Sequence, residues 1–433
     1  MHPNLSFEQA PPVSVPYRFF LTAPLFGVAA GLLLVWLGES AVASRWSGGA
    51  LALTHLLAVG FMLQAMTGAV MQFVPVAAGG NVWRPGLVAN LIHPALAIGA
   101  GMLVAAFLVH ESVLFRLAGA ILLTTVGFLV VVVGAALLRT PARGATILSM
   151  RIAVFGLAVT ALLGATLAEG LAGDASWPLV ELANVHAGWG LGGWALMLLA
   201  GVSYYVVPMF QLTPAYPAVL SRWLAPILLV TLLLWSVQLG GQSPAWQQWV
   251  WRAGLAVGAG FAGVTLWLQQ RRRRRVSDPT LLFFRGAMVC MIGLLLSAVV
   301  MTLVPSVAEH PRLPYWLGVL ALPGVFVSAI NGMLYKIVPF LNWLHLQRLM
   351  GIGMLPPNMK EMIAERAMVA QMRVHFAAVI FLLAGAIMPE IARVAGLVFA
   401  ISCAMLGRNL IQAARFFRNF RDRIRAAAPN PAP

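Results

Sequence analysis

The sequence predicts an all-α integral membrane protein of twelve transmembrane helices, arranged as three pseudo-symmetric four-helix units. Three observations predict this. The 433-residue chain is 61% hydrophobic and 9% charged with a mean hydropathy of +0.88, which a soluble domain of that length carries only by exposing large apolar patches. Apolar runs long enough to cross a ~30 Å hydrocarbon core at ~1.5 Å per residue recur along its whole length. A short signature, Gly, six residues and a Val-Pro ending, occurs as "GAVMQFVP" at 68–75, "GVSYYVVP" at 201–208 and "GMLYKIVP" at 332–339.

Taken in order, the predicted spans are 18–38, 50–76, 87–109, 114–138, 147–170 and 179–210, then 223–240, 249–268, 281–304, 314–343, 368–388 and 391–412. Backbone polar groups in lipid must be paired within the segment, so only helices or a closed barrel can span. Runs near 20 residues without period-two alternation exclude the barrel. The opening "MHPNLSFEQAPPVSVPYRFF" lacks the basic start and small-residue cleavage site of a secretory signal, so it is expected to remain as a cytoplasmic arm. Cys290 and Cys403 fall inside spans nine and twelve, where neither a disulfide framework nor a CxxC site is available.

A net charge of +16 raises nucleic acid as a partner, and the placement of the charge argues against it. Connections after even-numbered spans hold Arg84; Arg139 and Arg143; Arg222; Arg271 to Arg275; Arg348, Lys360 and Arg366; the tail adds Arg415, Arg418, Arg421, Arg423 and Arg425. Connections after odd-numbered spans carry mainly Glu39, Glu111, Asp174 and Glu309, beside Arg45, Arg116 and Arg312. This asymmetry predicts a lipid-embedded chain with both termini on the cytoplasmic side of a bacterial-type inner membrane, and reads the "RRRRR" run as a topology determinant.

The three signatures end spans two, six and ten. The chain therefore reads as one polytopic domain, 1–433, with repeat units 1–142, 143–277 and 278–433. Each Pro lacks an amide donor and is expected to stop its helix; Gly68, Gly201 and Gly332 let a neighbouring backbone approach.

Intramembrane histidines carry the chemistry. His55 lies 20 residues before Pro75 and His186 lies 22 before Pro208, which places both ~30 Å from their prolines, near the other face. His93 and His375 begin the equivalent spans three and eleven, near the cytoplasmic face. An ionisable side chain in an apolar span is a functional hypothesis by default, and neutral imidazole is a common axial ligand of haem iron. The alternative for each is a packed, hydrogen-bonded histidine. Beside His186 the run "HAGWGLGGW" places Gly188, Gly190, Gly192 and Gly193 either to clear space for a flat macrocycle or to pack helices closely.

With His early in span two followed by the Gly-rich, Val-Pro ending, "HLLAVGFMLQAMTGAVMQFVP" over 55–75 resembles helix two of the catalytic subunit of haem-copper oxidases and nitric oxide reductases. The opening "PYRFFLTAPLFG" and the Val-Pro endings also resemble NnrS-like haem membrane proteins. The resemblance implies His55 as a ligand of haem, b-type, and a redox partner such as a quinol or a cytochrome. The chain departs from the family where Leu317 and Val319 stand in place of its His-x-His pair, and it has neither an adjacent His-His nor a His-Pro-Glu-Val stretch. The expectation is therefore a haem-dependent electron-transfer or diatomic-gas protein without an oxidase-type copper site, oxygen reduction or proton pumping. A transporter on the same scaffold and a non-catalytic assembly subunit are the competing classes. The ligand pairs expected by leaflet are His55 with His186 and His93 with His375, their nitrogens roughly 4 Å apart across a shared iron.

Four more side chains are candidates for a proton path or a supporting shell. Gln72, Tyr205 and Lys336 each stand three residues before a repeat Pro, Lys336 being expected to reach the interface; Glu181 lies five residues ahead of His186. Met350, Met354, Met359, Met362, Met368 and Met372 surround Pro357, after which an amphipathic interfacial helix is expected rather than a copper(I) site.

Overall fold

A computed structural model describes residues 9–173, 177–240, 245–273, 276, 278–350 and 357–427. His2, Asp174, Arg274, Arg275 and Met354 lie outside the described residues. Twelve helices are long and apolar enough to cross a membrane: α1 Ser14–Leu37, α2 Gly48–Ala78, α3 Pro85–Val109, α4 Ser112–Arg139, α5 Ala145–Ala172, α6 Leu179–Gln211, α7 Ala218–Gly240, α8 Gln247–Gln270, α9 Pro279–Leu303, α10 Leu313–Leu349, α11 Glu365–Gly385 and α12 Pro389–Ala426. All twelve predicted spans are present. No strand occurs among the described residues.

Consecutive helices pack side by side, and α12 returns against α1 along an extensive contact. Glycine permits that closure. A Cβ on Gly31 would stand 2.5 Å from the carbonyl oxygen of Gly396, and one on Gly396 would stand 2.6 Å from that of Gly31. Helices α2, α6, α10 and α12 are the most buried of the twelve, with the α10 window 72% buried. The signature glycines of α2, α6 and α10 meet the preceding helix: a Cβ on Gly68 would lie 2.9 Å from Phe19, on Gly201 2.6 Å from Ser149, and on Gly332 2.9 Å from Phe283. Phe19, Phe20, Phe283 and Phe284 are fully buried behind these contacts.

A departure from α-helical winding recurs in α2, α6 and α10. Each contains an eight-residue π-helical stretch: Leu56–Leu63 in α2, Trp189–Leu196 in α6 and Leu320–Val327 in α10. Each ends at the twelfth residue before its Val-Pro proline: Leu63 before Pro75, Leu196 before Pro208, Val327 before Pro339. π turns are rare, widen the helix and concentrate at functional sites.

Two expectations need correction. Pro75 and Pro208 stand close to their helix ends, but α10 passes Pro339 and continues to Leu349. Buried contacts hold that extension in place of the lost amide bond: Tyr17 and the Ala413 carbonyl both bind the Asn342 side chain. Leu346 packs on Phe417 and Ile424 of α12, which is itself longer than predicted. The segment after Pro357 forms one turn, Met359–Met362, rather than an interfacial helix, with Met362 buried and Met359 exposed.

Candidate functional site

His55 and His186 come together. Their ring centroids are 6.3 Å apart and their planes differ by 22°. His55 is the last residue before the π stretch of α2, and its Nδ1 lies 2.8 Å from the Leu51 carbonyl one turn back. His186 sits three residues before the π stretch of α6 and reaches across to α5, its Nδ1 3.0 Å from the Thr160 carbonyl. A carbonyl oxygen only accepts, so both Nδ1 atoms carry the proton and both Nε2 atoms keep a lone pair. Both rings are half-buried.

Gly164 makes the His186 contact possible. A residue one turn beyond Thr160 lies over its carbonyl, and a Cβ at Gly164 would stand 3.0 Å from Cε1 and 3.5 Å from Nδ1 of His186. Phe107 of α3 covers His55 at a centroid distance of 4.9 Å. At the adjoining helix ends Arg45 donates to the Asn184 side chain at 2.9 Å, and the Trp235 indole donates to the Asn184 carbonyl at 3.1 Å, tying α6 to its neighbours.

The four glycines after His186 are packing residues. A Cβ on Gly188 would meet Trp235 at 2.8 Å, one on Gly190 Thr160 at 3.3 Å, and one on Gly192 Leu232 at 3.4 Å; Gly193 lies against the backbone of Gly156.

His93 and His375 are not paired with each other. His93 Nε2 lies 2.8 Å from the Thr22 hydroxyl, with Phe19 edge-on at 5.3 Å. His375, fully buried, has Nε2 2.8 Å from the Ser328 hydroxyl. Ser328 donates its own proton to the Pro323 carbonyl at 3.0 Å, so it accepts from His375 Nε2–H, and His375 Nδ1 has no partner among the described residues.

The remaining candidates separate. Glu181, in the first turn of α6, has no hydrogen-bond or ion-pair partner among the described residues. Gln72 is buried with Oε1 unpartnered, and Tyr205 packs edge-on against Phe73 at 6.2 Å. Lys336, thirteen residues before the end of α10, meets Asp278 at the start of α9, Nζ to Oδ2 2.9 Å. Burial alone would raise the Asp278 carboxyl, but hydrogen bonds from Thr280, Lys336 and the Leu281 amide outweigh it and hold the carboxyl below its ordinary value.

The fold and site together define a multi-pass helical membrane protein with an imidazole pair inside the bundle. No family model matches the chain, and no curated protein is significantly similar to it. Among the described residues no three His, Cys, Asp or Glu side chains gather as a metal-binding group.

Proposed function

We propose that this chain is a haem-binding membrane protein related to the catalytic subunits of haem-copper oxidases, with His55 and His186 as axial ligands of one b-type haem. The observation carrying the reading is the geometry of the pair. Metal–imidazole bonds of about 2.0–2.1 Å place two rings that ligate one ion from opposite sides with centroids about 6 Å apart, and the rings here stand 6.3 Å apart, near parallel. Each Nδ1–H is held by a backbone carbonyl, which fixes the tautomer that leaves Nε2 for iron. His93 and His375 stand outside the ligand set because their Nε2 atoms already meet hydroxyls.

Once bound, the haem supplies a one-electron iron couple. The chain does the rest: Gly164 admits the His186 ring, the Leu51 and Thr160 carbonyls orient the imidazoles, and Phe107 covers His55. His55 and His186 would both hold the iron, which would suit electron transfer better than capture of nitric oxide or another diatomic gas. A quinol or a cytochrome is the class of redox partner such a protein needs. Copper of the oxidase type is left out, since Leu317 and Val319 occupy the positions where the family carries its histidines.

The threefold division into 1–142, 143–277 and 278–433 belongs to the same reading. The common register of the π stretches with the Val-Pro endings supports it, as does the packing of α1 on α2, α5 on α6 and α9 on α10. The arginine distribution supports cytoplasmic termini in a bacterial-type inner membrane. Purification from haem-replete cells tests the site: the protein is expected to show a Soret band that His55→Ala and His186→Ala each abolish. A Soret band retained in both variants contradicts the assignment.

A further inference from the structure

Away from the His55–His186 pair, the ends of α4 and α5 frame a cleft of about 490 Å³, within the size range of small-molecule sites. Arg143 of the connecting segment and Arg151 of the second turn of α5 line it, with Leu138 and Leu148 among its apolar walls.

Depth separates the two arginines. With 28 residues, α5 centred on a bilayer spans about 42 Å, a ~30 Å hydrocarbon part and about 6 Å of headgroup region at each end. Arg151 stands six residues past Ala145, about 9 Å in, so its Cα falls about 3 Å inside the hydrocarbon, while Arg143 lies at the headgroup level. An arginine at that depth takes a counter-charge or a protein acceptor, or reaches outward to the headgroups. Arg151 meets this requirement in part. Its Nε and one terminal nitrogen donate to the Leu137 carbonyl, at 3.1 and 2.8 Å. That contact caps the end of α4, brings no opposing charge, and leaves three of the five guanidinium hydrogens free to donate. Arg143 is exposed, and neither arginine pairs with a carboxylate among the described residues. The Thr140 hydroxyl, also on the cleft, is engaged by the Ala78 carbonyl and the Ala142 amide, so the arginines are the donors that a ligand would meet.

Beside the two cations the wall is greasy and faces outward: Leu138 is 73% and Leu148 41% exposed. We propose that this cleft binds one anionic phospholipid, its phosphodiester held by Arg143 and Arg151 and its acyl chains lying on Leu138 and Leu148. Charge complementarity selects that occupant. A phosphodiester accepts the paired N–H groups of a guanidinium, and basic pockets between transmembrane helices take anionic lipid head groups. The apolar flank favours an anion that carries chains over a free one. A lipid of net negative charge is favoured over a zwitterionic one, whose own cation already opposes its phosphate. The site is independent of whether His55 and His186 hold a haem.

Native mass spectrometry of the delipidated full chain, titrated with phosphatidylglycerol or with phosphatidylcholine, tests it. The wild type is expected to bind phosphatidylglycerol more tightly. Arg143→Gln is expected to lower that affinity roughly fivefold, the worth of one basic side chain at an anionic membrane surface. Arg151→Gln is expected to act in the same direction. If loss of the α4 cap keeps that variant from folding, Arg143→Gln decides alone, since Arg143 makes no hydrogen bond or ion pair among the described residues. Arg418→Gln, exposed on α12, is the control and should leave the affinity unchanged. Equal affinity for the two lipids overturns the proposal, and so does unchanged affinity in Arg143→Gln or an equal loss in Arg418→Gln. Displacement of the lipid by an equal concentration of glycerol 3-phosphate also overturns it, because the acyl chains would then contribute nothing.

Discussion

Gly164→Val is the most informative change to the imidazole pair because it touches the site without removing a ligand. The Cβ alone would stand 3.0 Å from Cε1 of His186, closer than ordinary van der Waals contact, and the added methyl groups would press nearer. The ring has two responses. It can stay and accept an overpacking cost of about 1–3 kcal/mol, or it can swing away and lose the 3.0 Å bond to Thr160, worth about 0.5–1.5 kcal/mol. Strain or loss of the ligand-competent rotamer should lower haem affinity by roughly 2- to 150-fold, for about 0.5–3 kcal/mol. Haem titration of the purified apoprotein, followed at the Soret band, measures this directly. Gly260→Ala is the control: nothing lies within 4 Å of its Cβ, so affinity should not change. A Gly164→Val protein that binds haem as tightly as the wild type would refute the role given to the Thr160 carbonyl.

Further outcomes follow from the same geometry. His93→Gln should retain the Soret band, checked by absorbance against protein concentration, because its Nε2 is engaged by Thr22. Gly31→Leu should lower the melting temperature or prevent folding, by about 3 kcal/mol or more, since the obstructing atoms are the Gly396 and Ala400 backbone and cannot turn aside. Asp278 has a folded-state carboxyl value below the unfolded one, so its contribution is present above about pH 4 and lost as pH falls through the folded value. Thermal melts of Asp278→Asn across that range should show a shallower acid limb than the wild type.

Much of the architecture was legible because lipid imposes it: span number and helical class follow from apolar run length and backbone satisfaction. The tripled Gly and Val-Pro ending marked α2, α6 and α10, and His55 and His186, expected as a pair, stand with ring centroids 6.3 Å apart. What stayed hidden has physical causes. A π stretch has no composition of its own, and the groups that orient the imidazoles are backbone carbonyls, which every residue possesses. The glycines after His186 were ambiguous because a glycine serves a ligand and a neighbouring helix equally well; Trp235, Leu232 and Thr160 decide for the helices. Ser328, Tyr335, Gln371, Ser402 and Asn409 are scattered over α10, α11 and α12 in the chain, and only the fold brings them to their hydrogen-bond partners. His93 and His375 looked like a ligand pair by repeat position, whereas local hydroxyls on α1 and α10 claim them separately.

Low-temperature electron paramagnetic resonance of the oxidised, purified protein tests the central claim most directly. Ligation by both His55 and His186 predicts a low-spin ferric signal that integrates to one spin per chain and disappears in either alanine variant. A high-spin ferric signal in the wild type, or no haem iron in protein from haem-replete cells, contradicts it.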